Sequence, residues 1–530
     1  MTAATQPRQS PWPRRWAVPA LIAALALTVA VMAGALVVAD LRLPWSFDEH
    51  AYGYEGWVWM ADGGLPYRDF VENKPPVIYL LWGLAQRWAP GEAWPMRLAA
   101  LAALLATGWI VGWLARAMGY RRGAAVAGLL AAGIMLSPRL ESQYGLTEPF
   151  MVLCTVGMVV VAFRARQVGS GRLLLLAGVL GGLAFLSKQV AACEVLAVAG
   201  WLLTDPAAAG RARLRAVLLL GAGFLVPVLA SWLWAQAAGV GPNYLRAAFG
   251  QLVLWGAPTW DERRHLLLRT LLDEAFVRAF APLYGAGLLY LLLRRGRTPG
   301  ERLVLWWLPW ALVGALVGSL YRHQFQQVAP AVALGTAVAA GGLWRWVGRL
   351  PRGWSQGLSA AAPVVCLALL VLLALPSVRL SRDASRPALQ EEAAAEEALA
   401  QAVRAAARPG DRLLTWRGPL RVNVLAGLRS PTPYATDFYY RRPEVAEEVR
   451  ATLAAQPPRF ALVKRGTLPG LGTGPPLPGP PVPGAWLEKW LAGVLRADYR
   501  LLTEAGGYAL YERGGEPSAT APAGRSSSNG

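Results

Sequence analysis

Apolar runs recur from Trp16 to Pro376 of this 530-residue chain, too often and too closely spaced for a single soluble core. They are Trp16–Leu41, Leu98–Met118, Ala124–Ser137, Pro149–Phe163, Leu173–Leu186, Val190–Leu203, Ala216–Ala238, Phe276–Leu293, Leu303–Leu320, Phe325–Val347 and Leu358–Pro376. With their flanks each reaches the roughly 17–25 residues that a membrane-spanning helix needs. Only 16% of residues are charged, against roughly 25% in soluble domains. The expectation is a polytopic α-helical membrane protein with about 11 transmembrane helices. Trp16–Leu41 is too long and too apolar for a cleaved signal peptide and lacks a small-residue cleavage site before Asp48, so it reads as the first span.

The formal net charge is +20, but the basic residues cluster in short loops between apolar runs. That is the pattern of loops facing anionic lipid on the cytoplasmic side, and no nucleic-acid partner is expected. With PRQSPWPRR inside, the inner loops become RAMGYRR, RARQVGSGR, DPAAAGRARLR, RRGRTPGER and WRWVGRLPRGW, each of them basic. The outer segments are then SFDEHAYGYEGWVWMADGGLPYRDFVENKPP, PRLESQYGLTEPF, the turn at SKQ, the loop 239–275, and YRHQFQQ. An odd number of spans puts everything after about Ser377 outside as well. Cys154, Cys193 and Cys366 lie in apolar segments and read as buried thiols, and three His make no metal-ligand cluster visible.

The first outer segment carries the densest chemistry. A helix begun by Ser46 as N-cap puts Asp48, Tyr52, Glu55 and Trp59 on one face. GGLPYRDF is a turn, and ENKPP launches a short apolar helix, Val77–Trp88, too short to span. An acidic pair at Asp48 and Glu49 is also what a solvated helix start would carry. The length of the segment, with its tyrosines and Lys74, weighs toward a site.

Taken in order, Asp48-Glu49, Tyr52 and Tyr54, G-x-P-Y-R-D through Tyr67 and Arg68, K-P-P at Lys74 and then Arg97 resemble the bacterial family 39 glycosyltransferases of the GT-C fold. These are relatives of protein O-mannosyltransferases and of the aminoarabinose transferase that modifies lipid A. The similarity extends to Glu148 in TEPF, to Lys188 in the SKQ turn, and to Tyr321, Arg322 and His323 ahead of a late span. It covers about the first 350 residues. Glu148 stands where the family pattern has Asp. The resemblance implies an inverting transfer of a sugar from a polyprenyl-phosphate donor to a protein, lipid or glycan acceptor on the outer face of the bacterial plasma membrane. Asp48 is then the base, with Glu49 structural or acceptor-positioning and Glu148 a further acid of the catalytic set. Lys74, Lys188, Arg322 and His323 are the cations for the leaving phosphate, with Tyr52, Tyr67, Arg68 and Tyr321 as further substrate contacts. A lipid phosphate leaves readily, so this route requires no metal or other cofactor.

The chain has only four lysines against 48 arginines, and two of the four, Lys74 and Lys188, fall beside these motifs. A compact ammonium is not interchangeable with a guanidinium. The loop 239–275 reads as an amphipathic segment along the membrane surface.

From residue 380 the composition turns soluble, and residues 380–513 read as a small α/β domain with strands at RLLTWRG, RFALVKR and YRLLTEAGGYALYER. Residues 514–530 read as a disordered tail, and 1–379 as the membrane domain. A transporter is the main alternative, although its polar groups are expected near mid-membrane rather than at loop ends. A non-catalytic envelope-assembly protein is the other.

Overall fold

The computed structural model describes residues 13–121, 123–250, 297–317, 321–347, 374–436, 442–469 and 485–514, with isolated positions between them. The runs Phe276–Leu293 and Leu358–Pro376, Cys366, the surface segment beyond Gly250, the loop 470–484 and the tail from 515 lie wholly or largely outside the described residues. The chain divides into two compact units. One comprises 1–43, 73–85 and 92–389, and the other 44–72, 86–91 and 390–530.

The first unit is helical. Its described helices include α1 (Pro13–Asp40), α4 (Trp94–Ala117), α5 (Ala124–Met135), α6 (Glu148–Val168), α7 (Gly171–Ser187), α8 (Ala192–Leu203) and α9 (Gly210–Ala237). After the short α10 (Gly241–Leu245) come α11 (Pro299–Leu316) and α12 (Ala329–Val347). Between the units in sequence lie α2 (Phe47–Met60), which belongs to the second, and α3 (Val77–Trp88). Among the described residues, Pro19–Asp40, Trp94–Ala117, Glu148–Val168 and Gly210–Ala237 are long and apolar enough to cross a membrane.

Helices in lipid gain little from apolar burial against one another, so close backbone approach at small residues matters more. A Cβ on Gly178 of α7 would sit 2.1 Å from the Leu220 carbonyl oxygen of α9, and one on Gly223 would sit 2.0 Å from that of Leu175. Only glycine allows this crossing.

The loops sort by end. At one end Asp205 accepts from Arg166 at 2.6 Å and 2.9 Å and from Arg302 at 3.0 Å, and the Tyr120 hydroxyl donates to Glu301 at 2.6 Å. These residues come from four of the basic loops assigned above to one face. Glu148 stands at the other end of α6, some 30 Å away by helix rise.

The second unit holds a four-stranded sheet of β1 (Leu413–Trp416), β2 (Phe460–Lys464), β3 (Tyr499–Ala505) and β4 (Tyr508–Arg513), in the order β1-β2-β4-β3. β1 and β2 are parallel, joined through α14 (Arg421–Ala426) and α15 (Pro443–Ala455), and the remaining pairs are antiparallel. Gly506 and Gly507, at φ 56° and 82°, close the β3–β4 hairpin, where two successive positive φ values match the strand twist. Leu399, Ala400 and Val403 of α13 (Pro387–Ala406) pack with Leu413, Phe460, Leu462 and Leu510 to form the core.

Glu396 of α13 is buried beside Arg421, with 3.3 Å between oxygen and nitrogen. Burial pushes its carboxyl up to about 7, although Arg421 pulls the other way. The folded group therefore keeps its proton at pH values where an unfolded carboxyl, near 4.5, has lost it. Its stabilising contribution is complete below about pH 4.5 and is lost as pH rises through about 7, on the order of 3 kcal/mol. Glu396→Gln is expected to flatten the pH dependence of thermal unfolding in that window, checked by melting curves at pH 5 and 8. An unchanged slope would show that the carboxyl titrates normally.

Candidate active site

The sequence-identified residues fall into two sets, one in each unit. In the second unit the site begins at the N-terminus of α2. Ser46 caps the helix, accepting from the Glu49 N–H at 3.3 Å, and the Glu49 carboxylate reaches back to the Ser46 N–H at 2.8 Å. Glu49 is fully buried and engaged in this capping box, which is a structural use of its charge. Asp48, one residue earlier, is half-buried in the same first turn. Division of labour follows: the cap holds the helix, and Asp48 is not needed to close it.

Along α2, Tyr52, Tyr54 and Glu55 are buried, and the Tyr54 hydroxyl accepts from the Ser430 N–H at 2.7 Å. The following turn is closed by Asp69, whose carboxylate takes the Leu65 N–H at 2.7 Å and pairs with Arg68 at 2.7 Å. Tyr67 within it is wholly buried at φ 65°, a left-handed backbone that a non-glycine residue seldom adopts. Arg68 stays exposed.

In the first unit four elements deliver one charged cluster. Glu148 opens α6, ahead of Pro149 in the first turn, where proline's missing N–H costs nothing. Lys188 ends α7 by turning to extended backbone, φ −157° and ψ 130°, and its ammonium meets the Glu148 carboxylate in a direct ion pair. His323, in the 3₁₀ helix Arg322–Val328, puts Nε2 3.7 Å from Glu148 and Nδ1 2.6 Å from Glu141. Glu148, Lys188 and His323 are all buried. A buried carboxylate compensated by two cationic or cationisable groups is a costly arrangement in a membrane, and such groups mark functional places by default.

Glu141 is a residue that the sequence left at the rim without a role. It ends the 3₁₀ turn Pro138–Leu140 at φ 57° and ψ 31°, a left-handed position that costs a glutamate roughly 1–2 kcal/mol, and from there its carboxylate holds His323. Nothing in PRLES announces a left-handed glutamate. Tyr321 stacks on the His323 ring at 5.5 Å with its own ring largely exposed, and Arg322 is exposed.

Lys74 is half-buried at the turn before α3, its ammonium on the Asn73 side-chain oxygen and its backbone N–H on the Tyr79 hydroxyl at 3.2 Å. Gln189, next to Lys188, donates to the Asn73 carbonyl at 2.8 Å. The two lysine-bearing turns are thereby tied together. Arg97 is buried and donates to the Asp40 and Leu43 carbonyls at 3.0 Å and 2.9 Å, so it fastens the end of α1 to α4. Among the described residues no three His, Cys, Asp or Glu side chains converge as a metal-ligand set.

Residues 73–234 match the sequence profile of the dolichyl-phosphate-mannose-protein mannosyltransferase family. That stretch holds Lys74, Arg97, Glu148 and Lys188. The crystal structure of ArnT from Cupriavidus metallidurans bound to undecaprenyl phosphate superposes with a TM-score of 0.58 at 14% identity, over 93% of this chain and 98% of that one. The apo form of the same protein gives 0.57 at 13% identity with the same coverage. The chain has the GT-C glycosyltransferase fold. A third GT-C likeness is the Archaeoglobus fulgidus oligosaccharyltransferase tethered to an acceptor peptide, with a TM-score of 0.52 at 14% identity, covering 85% of this chain and 69% of that one. No curated protein matches the GT-C chain by sequence.

Proposed function

We propose that this GT-C protein transfers a sugar from a polyprenyl-phosphate-linked donor to an acceptor hydroxyl on the extracytoplasmic face of the plasma membrane, with inversion at the anomeric carbon. The likeness along nearly the whole of both chains to a protein crystallised with undecaprenyl phosphate is the observation that carries this reading. The buried charged cluster at one end of α6 supports it.

Asp48 takes the proton from the acceptor hydroxyl as the oxygen attacks the anomeric carbon. The bond from that carbon to the phosphate oxygen breaks on the opposite side, and the polyprenyl phosphate leaves with the electron pair. Negative charge grows on the phosphate, where preorganised positive charge is the main source of rate. Lys188 is committed to Glu148, so Lys74 is assigned the direct phosphate contact. Glu148 holds Lys188 and, with Glu141, orients His323. Tyr321 and Arg322 border the donor, and Tyr52, Tyr67 and Arg68 shape the α2 side.

The test is transfer by the purified protein in lipid, offered a panel of radiolabelled polyprenyl-phosphate sugars with envelope fractions as acceptor. One donor should lose its label to the acceptor with inverted configuration. Passage of the intact lipid-linked sugar across a sealed vesicle, without transfer, would establish the transporter instead.

A further inference from the structure

Asp48 stands in the first turn of α2, and a residue of that same turn, His50, ties it to the C-terminal part of the second unit. Trp45 precedes the Ser46 cap, and its indole packs on the His50 ring with ring centres 5.6 Å apart. A Cβ on Gly53 would sit 2.2 Å from the same indole, which therefore lies directly on the helix backbone. A side chain ahead of the cap packed on the fourth helical residue is a staple that fixes how the chain enters a helix. Here it also fixes the His50 ring.

The two ring nitrogens meet α14 and α13. Nδ1 accepts the Arg421 N–H at 3.3 Å. An accepting nitrogen carries no proton, so in the neutral ring the proton sits on Nε2. Nε2 lies 3.8 Å from Glu396 Oε1, a buried oxygen that accepts no hydrogen bond among the described residues. The residue that offers the N–H is itself held firmly. The buried Arg421 guanidinium donates to the Gly91 carbonyl at 2.6 Å, to Glu396 at 3.3 Å and to Glu397 at 3.3 Å.

Other links fasten α2 further along. Tyr54 accepts the Ser430 N–H, and Asp62 holds Arg429 past the end of the helix. Tyr54 is about 9 Å of helix rise beyond Asp48, whereas His50 is about 3 Å away. The capping box closes the turn on itself. We propose that His50 is a positioning residue for sugar transfer: by accepting the Arg421 N–H through Nδ1, it sets where the first turn of α2, and Asp48 with it, stands against α13 and α14. This rests on the reading of Asp48 as the base. A base displaced by about 1 Å can lose about a hundredfold in rate. His50 acts through Asp48 and makes no donor contact, so donor affinity is not expected to follow.

The test compares two substitutions in the full chain, purified in lipid. His50→Phe keeps a ring against Trp45 and removes the acceptor, whereas His50→Asn removes the ring and returns an acceptor oxygen close to the place of Nδ1. Single-turnover transfer should fall by at least about tenfold in His50→Phe with donor affinity near normal, and His50→Asn should recover most of that loss. Hydrogen exchange at the Arg421 amide should be slow in the parent and in His50→Asn, and faster in His50→Phe. In protein carrying isotopically labelled histidine, where only three residues give signals, the imidazole resonances missing from His50→Asn should be those of an Nε2–H tautomer. That measurement is made on the parent and holds even where His50→Phe fails to fold. An Nδ1–H tautomer, an unprotected Arg421 amide in the parent, or transfer by His50→Phe at the parent's rate would overturn the proposal. So would a fall in donor affinity that accounts for the lost transfer, or a His50→Asn protein as impaired as His50→Phe. A parent that transfers no sugar from any donor overturns the transfer reading and the catalytic role of His50 with it. The tautomer and the exchange, read without donor or acceptor, decide separately whether the link to Arg421 exists.

Discussion

Asp48→Asn is expected to lower single-turnover sugar transfer by roughly two to four orders of magnitude while leaving affinity for the polyprenyl-phosphate donor near normal. The substitution is nearly isosteric, and the helix it sits in is closed by Ser46 and Glu49 rather than by Asp48. The structural cost is limited to one charge at the helix N-terminus, about 0.3–1 kcal/mol. Folding and chemistry therefore separate at this position. Glu49→Ala provides the contrast, since it removes the acceptor of the Ser46 N–H that closes the capping box and should show its effect in the melting temperature rather than in the transfer step. Donor binding and a single round of transfer, measured apart on purified protein, check both. Donor binding lost in Asp48→Asn, with normal transfer from whatever donor remains bound, would make the carboxylate a binding group and end the base assignment.

Lys188→Ala should be the most destabilising single change in the charged cluster. It strands Glu148, which is almost wholly buried, and breaking a buried pair from one side typically costs about 3–5 kcal/mol. A loss of about 3 kcal/mol, at the lower end of that range, is expected. The double variant Lys188→Met with Glu148→Gln removes both charges together and should recover most of that stability without recovering transfer. Thermal unfolding in detergent and donor transfer, measured on the single and double variants, give the comparison. A double variant no more stable than Lys188→Ala would mean that the pair contributes through packing alone and that Glu148 carries no buried charge.

Much of this was legible in the residues because it depends on local order. The Ser46 cap follows from S-x-x-E, the short helix Val77–Trp88 from K-P-P and an apolar run, and the β3–β4 hairpin from G-G between two strand-like segments. Each is a signal whose range is a few residues, and these three elements formed where their own sequence asks for them. The alternation of basic loops likewise foretold which loops share an end, since Arg166, Asp205 and Arg302 meet. Proximity across the fold was not legible. From the sequence alone Lys188 also allowed the lesser reading of a helix-end residue reaching for lipid, and its pairing with Glu148 spans 40 positions. His323 and Glu141 are 182 positions apart, and the left-handed backbone that lets Glu141 reach the ring has no sequence signature in a glutamate.

The assignment of residues 44–72 to the same compact unit as the C-terminal sheet has the same origin. Tyr54 meets Ser430 and Asp62 meets Arg429 across more than 360 positions. By itself the sequence determined the membrane class, the Ser46 cap, the apolar runs and the list of polar residues left at the loop ends. These follow from propensity, hydropathy and periodicity, which act over one or two turns. Only the tertiary structure decided which of those polar residues neutralise one another, as Lys188 does Glu148, and which of them is held by a distant partner, as His323 is by Glu141. Pairing is set by where the packed elements bring distant side chains, and a Coulomb interaction depends on distance in space rather than along the chain.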